Sequence, residues 1–305
     1  MYPLSLAERN IEQQTVSIGE MFSSEKTFAT TIAGMTDFSA LQYIDEIVSS
    51  GFPEFRLLSS ENRKAAFESY FENILSHGFI QQGIRLRQPQ NVLCWLRAFA
   101  AATATDVGYT EILDATDGTK LSVKSTIAYR KVLHYLRLLD ELEPWIEGEE
   151  FLSALKHTPK HYLADPAIAA YLLDLDEQIL TGTKDWPGRV ERYDDQYGSI
   201  LSRLFKALVC LCLRGYSSVN NAKLFYVKTH KGEHEVDFIM KRGSKVIACE
   251  GRFSPTAVSS DGRHLRWFAD RMGKDCCDMM IITAGSVAYR RPDGIAVVPA
   301  ILLGA

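Results

Sequence analysis

The spacing of hydrophobic and polar residues changes partway along the chain. Residues 1–84 and 91–180 show mainly the periodicity of helices, whereas residues 222–301 contain short β-type runs separated by turns. The polar segment 181–199 between them is the best candidate for a linker. This pattern predicts an α+β protein, in which a helical region precedes a region with a central mixed sheet.

The helical region contains one segment with a strongly one-sided charge. Helical patterns cover residues 91–103 and 109–116, and a third helix is predicted from Ser125. At roughly 100° per residue, the third helix has apolar and basic arcs on opposite sides. The apolar arc contains Ala128, Tyr129, Val132, Leu133, Leu136 and Leu139. The basic arc contains Lys124, Arg130, Lys131, His134 and Arg137.

Two extended segments, residues 139–146 and 157–166, follow this helix and are predicted to form a small hairpin. Three helices followed by a hairpin is the order of a winged helix, whose third helix enters the major groove of DNA. The five residues of the basic arc are therefore candidate nucleic-acid contacts. A solvated face on a protein-interaction module explains the same pattern equally well.

A second feature is the hairpin predicted for residues 235–252, EVDFIMKRGSKVIACEGR. Gly243-Ser244 is a two-residue loop with glycine first, so Arg242 is expected to pair with Lys245. The remaining residue pairs follow by counting outward from this turn. Because successive side chains of a strand point to opposite faces, the residues of both strands can then be assigned to one face or the other. One face is predicted to hold Glu235, Asp237, Glu250 and Arg252, and the other Val236, Phe238, Met240, Ile247 and Cys249.

This register places Asp237 directly opposite Glu250. Like charges in that position destabilise a sheet, by roughly 3 kcal/mol at about 5 Å and an effective dielectric near 20. A divalent metal, a neighbouring cation or protonation of one carboxyl group would offset the repulsion. The hairpin therefore predicts either a metal site or a charge-compensated cluster.

Composition and charge limit the classes of function. The chain has 305 residues, of which 46% are hydrophobic and 24% are charged, which is typical of a globular protein of about two domains. Its net charge is −4, so any nucleic-acid surface must be local. The six cysteines form no CxxC pair, which argues against a zinc site or a disulfide framework. Without a membrane-spanning run or a signal peptide, a cytoplasmic location is expected.

The order of elements in the C-terminal region, α-β-β-β-α-β, is that of the PD-(D/E)XK nuclease-like fold, also called restriction-endonuclease-like. The chain as a whole resembles the C-terminal portion of bacterial AAA-type ATP-binding proteins that end in a domain of unknown function with such a core. The sequence motifs that carry the resemblance are SLAER (5–9), SGFPEFR (50–56), TIAYRKVLHYLRLLDELEPW (126–145), HYLADPAIAAYLL (161–173), LFKALV (204–209), EVDFIM (235–240) and IACEGR (247–252).

The resemblance implies three regions. Residues 1–84 are expected to be a helical remnant that follows an ATPase core, residues 85–180 a winged-helix-like domain, and residues 181–305 the nuclease-like domain. No GxxxxGK[ST] phosphate-binding loop occurs in the sequence, so ATP hydrolysis by this chain is not expected. The chain is expected to be a fragment of a longer gene product or a natural remnant.

The nuclease-like motif departs from the pattern of the family. Its relatives usually have a lysine where this chain has Arg252, and an acid in the preceding helix where it has Lys206. Arginine holds its proton firmly and has a planar fork, so it replaces a catalytic lysine poorly. Asp237, Glu250 and Arg252 are thus expected to form a degenerate, metal-free cluster. Asp165 is expected to cap the helix that follows it.

Three functions remain open at this point. The favoured one is a non-catalytic module of an AAA-type ATPase family protein that binds DNA or regulates its partner, with no cofactor. The second is a DNA endonuclease that holds Mg²⁺ or Mn²⁺ through Asp237 and Glu250, with Arg252 at the catalytic site. The third is a protein-interaction scaffold, for an ATPase subunit or another partner.

Overall fold

The computed structural model describes residues 3–24, 28, 30–116, 121–145, 158–184, 194 and 198–305. By its internal contacts the chain divides into two units. The first unit is assembled from Met1–Tyr43, Leu142–Pro159 and Leu208–Ala305, and the second from Ile44–Glu141 and Lys160–Ala207. Each unit is therefore built from segments that are distant in sequence.

The first unit is built around a seven-stranded mixed sheet in the order β2-β7-β8-β6-β5-β4-β3. A parallel pair, β1 with β9, forms a separate small sheet. The strands are β1 (Val16–Ser17), β2 (Gly34–Met35), β3 (Lys223–Lys228), β4 (Glu235–Arg242), β5 (Lys245–Arg252), β6 (Cys276–Thr283), β7 (Val287–Arg290), β8 (Ala296–Pro299) and β9 (Leu303–Gly304).

The central strands β5 and β6 are parallel, and a helix crosses between them. Both strands consist almost wholly of buried residues, as expected where a sheet is covered on both faces. The crossover helix packs against the sheet through Leu265 and Phe268, which contact a core that includes Val246, Ala248 and Ile281.

Helices in the first unit are short apart from one. The helices, numbered with those of the second unit in chain order, are α1 (Ile18–Ser23), α2 (Ala40–Val48), α11 (Ile200–Val219) and α12 (Arg263–Met272), the crossover helix. Both α2 and α11 continue into the second unit. The 3₁₀ turns are Ala7–Arg9, Ser259–Gly262, Gly273–Asp275 and Ala300–Leu302.

The second unit is helical in its described residues. Its helices are α3 (Pro53–Arg56), α4 (Ser60–Asn73), α5 (Phe79–Gln81), α6 (Pro89–Ala101), α7 (Tyr109–Asp114), α8 (Val123–Tyr135), α9 (Pro166–Leu172) and α10 (Glu177–Leu180). A π-helical turn, Ile74–Gly78, joins α4 to α5. Asp165 is the N-cap of α9 and accepts a hydrogen bond from Ala167 N at 2.8 Å, which confirms its predicted role.

The three helices predicted before the hairpin are present as α6, α7 and α8, but α8 ends earlier than expected. Leu138 N donates to Leu133 O, and Arg137 has a φ of 58°, so the chain leaves the helix after Tyr135. Arg137 is thus outside α8, and the predicted basic arc is wrong at this residue. A left-handed residue after the last turn is a common way for a helix to end.

Only part of the predicted wing can be compared. One antiparallel bridge joins Leu139 to Leu163, while residues 146–157 lie outside the described part of the chain. Further along the first segment, Pro144 pairs with Tyr226 of β3, in the first unit. The α+β class and the mixed sheet are confirmed, and the winged-helix and nuclease folds remain predictions.

The predicted domain boundary at 84/85 lies inside the second unit, between α5 and α6. Residues 1–43, which are part of the region 1–84 predicted to be a helical remnant, supply β1 and β2 of the first unit. Residues 185–193 and 195–197 of the predicted linker are outside the described residues. Among the described residues, no helix has both the length and the apolar content to cross a membrane.

Candidate functional site

The predicted hairpin forms with the expected register at its turn. Arg242 pairs with Lys245, and the ladder continues to Phe238 opposite Cys249. Gly243, the first loop residue, has a φ of 62°, which explains the preference for glycine at this position. The next residues outward are Asp237 and Glu250, and both are buried.

The alternation predicted for β4 is interrupted just beyond this point. On the β3 side, Phe225 pairs with Ile239 but Val227 pairs with Val236, so two residues of β4 face the single residue Tyr226. This arrangement is a β-bulge, which adds one residue to a strand and resets its alternation.

The bulge changes which β4 residues share a face. Val236 lies in the same core cluster as Ile239 and Ala248, so its predicted place beside Phe238 and Met240 is wrong. Glu235 pairs across the sheet with Lys228 of β3, and its carboxylate lies 3.1 Å from Lys228 Nζ. The predicted pairing of Glu235 with Arg252 is not part of the β4–β5 ladder.

Arg252 lies against the two acids. Its Nη2 donates to Glu250 Oε2 at 3.1 Å, and Asp237 Oδ2 accepts from Gly251 N at 3.3 Å. Burial lowers the pKa of Arg252, but the charges of Glu250 and Asp237 outweigh that effect and raise it above its usual value. The guanidinium therefore carries its charge permanently at the position where the acids need a counter-charge.

A divalent ion fits this cluster poorly. Each acid already directs an oxygen to a protein donor, and the guanidinium beside them would repel a second cation. We therefore assign no catalytic step to a metal at Asp237 and Glu250.

The basic arc of α8 divides into two sets of residues. Arg130 and His134 point towards Glu141, which follows the helix: His134 Nε2 lies 2.7 Å and Arg130 Nη2 lies 3.5 Å from Glu141 Oε2. The guanidinium of Arg130 also lies over the ring of Tyr109, 3.3 Å from its centroid. Arg130 and His134 thus have partners within the chain, and their role as nucleic-acid contacts stays a prediction.

Glu141 is the centre of an internal network that sequence patterns missed. Its side chain is only 5% exposed and accepts a hydrogen bond from Tyr109 Oη, and His161 Nδ1 lies 3.3 Å from its Oε1. Burial raises the pKa of Glu141, but the hydrogen bonds from His134, His161 and Tyr109 and the charge of Arg130 lower it well below its usual value. The carboxylate is ionised and holds α7, α8 and the segment around His161 together.

The remaining residues of the arc are on the surface. Lys124, Lys131 and Arg137 are exposed, and Lys124 and Lys131 lie on the outer side of α8. Two large side chains lie on the same side of the helix, Ile127 and Tyr135, which are 46% and 68% exposed. The outer side of α8, defined here as Lys124, Ile127, Lys131 and Tyr135, thus combines basic and apolar groups without an acid.

Comparison with known proteins covers both units. Residues 41–179 match the family model of a domain of unknown function, DUF8612. Residues 202–303 match a second domain of unknown function, DUF4143. Domains of this second type are commonly found in AAA-ATPase-associated proteins. No curated protein and no solved structure matches the chain.

Proposed function

We propose that this chain is a non-catalytic nucleic-acid-binding or regulatory module that serves an AAA-type ATPase. The observation that carries the proposal is the outer side of α8, where Lys124 and Lys131 flank Ile127 and no acid is present. Lysines on a helix attract the phosphates of nucleic acid, and exposed apolar side chains add contacts to sugars and bases.

The acid cluster supports a role without catalysis. A nuclease of this kind needs carboxylates that are open to a divalent ion, whereas Arg252 donates to Glu250 at 3.1 Å. The cluster then stabilises the end of the hairpin electrostatically. This is the charge-compensated alternative that the sequence left open.

The link to an ATPase has two supports. DUF4143 domains are commonly found in AAA-ATPase-associated proteins, and the quoted sequence phrases resemble the C-terminal portion of such proteins. The sequence contains no phosphate-binding loop, so the nucleotide chemistry would have to come from another polypeptide segment. In this proposal the module contacts nucleic acid while the ATPase supplies the energy.

The test is a salt titration of binding to a fluorescent DNA duplex, with the wild-type chain and the variant Lys124→Ala/Lys131→Ala. Removing two phosphate contacts is expected to reduce the slope of log K against log salt concentration by about 2 units. The matched control is Lys64→Ala/Lys184→Ala. It makes the same change in net charge at two exposed lysines that lie beside Asp174 and Asp176. Equal slopes for the α8 variant and the control would remove α8 as the contact.

A second candidate, a metal-dependent endonuclease, is favoured by the proximity of Asp237 and Glu250 at one end of the hairpin. We expect no cleavage of supercoiled plasmid by the wild-type chain with Mg²⁺ or Mn²⁺. Instead, Arg252→Ala is expected to gain stability from Mn²⁺, because the acids then lack their cation, while wild type gains none. Plasmid cleavage that disappears in Asp237→Ala would establish the nuclease instead.

A further inference from the structure

A second basic surface lies in the first unit, along one side of α12. Arg263, Trp267 and Arg271 are spaced four residues apart and therefore lie along that side of the helix. Leu265 and Phe268 are buried in the core of the sheet, and Trp267 is partly buried against that core. Arg263 and Arg271 are exposed, and their Cα atoms are about 12 Å apart at the rise of an α-helix.

Two side chains cover Trp267. The ring of His234, from the turn between β3 and β4, stacks on it with centroids 4.3 Å apart and an interplanar angle of 8°. The guanidinium carbon of Arg271 lies 4.3 Å from the centroid of the same indole. The indole is thus engaged by His234, by Arg271 and by the core against which it packs.

These contacts bear on what the surface can bind. His234 and Arg271 compete with a nucleobase for the indole, which disfavours base stacking on Trp267. A guanidinium presents its N–H groups in a fork that matches a planar or tetrahedral oxyanion. Arg263 and Arg271 are exposed, which favours a phosphate group as their ligand.

The positive charge at this surface is carried by Arg263 and Arg271, which lie beside the imidazoles of His234 and His264. His264 packs edge-on against His234, with centroids 5.5 Å apart, and Arg263 Nη2 lies 3.3 Å from His264 Nε2. Burial and the charges of Arg271 and Arg263 lower the pKa of His234. Burial and the charge of Arg263 likewise lower the pKa of His264, so both rings are largely neutral at pH 7.

Nearby acids do not neutralise this charge fully. Asp293 is occupied by Arg266 at 2.6 Å and by Arg291 at 2.8 Å. Glu233 and Asp270 are exposed, and Asp270, seven residues after Arg263, lies on the same side of α12, whereas Arg252 adds its charge to the field at His264.

We propose that His234, Arg263, His264, Trp267 and Arg271, here named the arginine–tryptophan face, bind the phosphate backbone of a nucleic-acid strand. The choice of ligand rests on the proposed function, whereas the site is new and lies in the other unit from α8. A row of about 12 Å, measured along the axis of a duplex, corresponds to three or four phosphates of one strand. Because base stacking on Trp267 is disfavoured, binding is expected to be independent of sequence.

The experiment uses the full chain and measures fluorescence anisotropy of a labelled duplex and a labelled single strand of mixed sequence over a range of salt concentrations. The variant Arg263→Ala/Arg271→Ala is expected to reduce the salt slope on duplex by about 2 units. Arg266→Ala is a single-charge control on the same helix: its guanidinium is already paired with Asp293, so its removal is expected to leave the salt slope unchanged. Arg263→Lys/Arg271→Lys keeps the charges and is expected to retain the slope while losing affinity, since lysine does not stack as arginine does.

The outcomes separate this site from the α8 proposal. If the α12 double alanine variant titrates like Arg266→Ala while Lys124→Ala/Lys131→Ala loses binding, the arginine–tryptophan face is not a contact and the proposed function stands. If only the α12 variant loses binding, the arginine–tryptophan face is confirmed as the contact and α8 is excluded as one. Failure of the wild-type chain to bind either probe would overturn both proposals.

Discussion

At the scale of single residues, Asp165 makes more contacts than its predicted capping role requires. Besides Ala167 N, its carboxylate accepts from Ser50 Oγ at 2.8 Å and from Gly51 N at 2.6 Å. Asp165 and Ser50 are fully buried, and Ser50 has a φ of 72°, which is uncommon for a residue with a side chain. The carboxylate therefore fixes both the start of α9 and the turn that precedes α3.

Asp165→Ala is expected to lower the free energy of unfolding by about 3 kcal/mol, since it removes a cap and leaves two buried donors without an acceptor. The measurement is the urea unfolding transition. The control is Asp176→Ala, which removes the cap of α10, a hydrogen bond from Ile179 N at 2.8 Å, at an exposed position. The control is expected to cost about 1 kcal/mol, and an equal loss in the two variants would show that Asp165 acts as a cap alone.

At the scale of elements, the buried carboxylate of Glu141 connects two helices and a later segment of the chain. Its partners come from α7 (Tyr109), from α8 (Arg130 and His134) and from the segment that bridges to Leu139 (His161). His161 is fully buried, and its Nε2 lies 2.7 Å from Val107 O. The network thus fixes the position of α8, whose outer side is the proposed nucleic-acid contact.

The network makes stability depend on pH in a defined direction. The pKa of Glu141 in the folded chain is below its value of about 4.5 in the unfolded chain, so its contribution is complete above that pH. The contribution is lost as the pH falls below 4.5 towards the folded pKa. Glu141→Gln is expected to lower the free energy of unfolding by about 2 kcal/mol at neutral pH, and the difference from wild type should shrink in acid.

Urea unfolding at neutral pH and at several values below 4.5 measures this difference. Glu61→Gln, which removes an exposed carboxylate of α4, is the control and is expected to change stability by less than about 0.5 kcal/mol. A constant difference between wild type and Glu141→Gln across this range would show that the carboxylate is not held by charge.

The elements also show which features can be predicted from sequence. The turn at Gly243, the cap at Asp165 and the presence of α6, α7 and α8 follow from local preferences, and the structure confirms them. The bulge opposite Tyr226 depends on the pairing of β4 with β3. The sequence of the β4–β5 hairpin alone carries no information about that third strand. The contacts of Arg130 and His134 likewise depend on Glu141, which also contacts His161. A helical wheel shows the direction of each side chain from the helix axis but not which residues of other segments it meets.

At the scale of the whole molecule, the first unit requires residues from the start of the chain. β1 pairs with β9, β2 pairs with β7, and Tyr43 Oη accepts a hydrogen bond from Ile301 N at 3.0 Å. Met21 and Phe22 are fully buried, and Trp145 contributes to the core cluster of the sheet. Changes in composition along the chain cannot reveal that residues 1–43 pair with the C-terminal strands, since long-range strand pairing leaves no local signal in those residues.

A fragment that begins at the predicted boundary, residues 181–305, is therefore expected not to fold alone. It keeps β3 to β9 but lacks β1, which pairs with β9, and β2, one of the two neighbours of β7. It also lacks the side chains of Phe22 and Trp145, so apolar surface stays exposed. We expect poor dispersion in its amide NMR spectrum and binding of a hydrophobic dye. Coexpression with residues 1–180 is expected to restore dispersion and a cooperative thermal transition, because that piece supplies the missing segments. A well-dispersed spectrum from 181–305 alone would show instead that the N-terminal strands are accessory, and that the sheet stabilises itself.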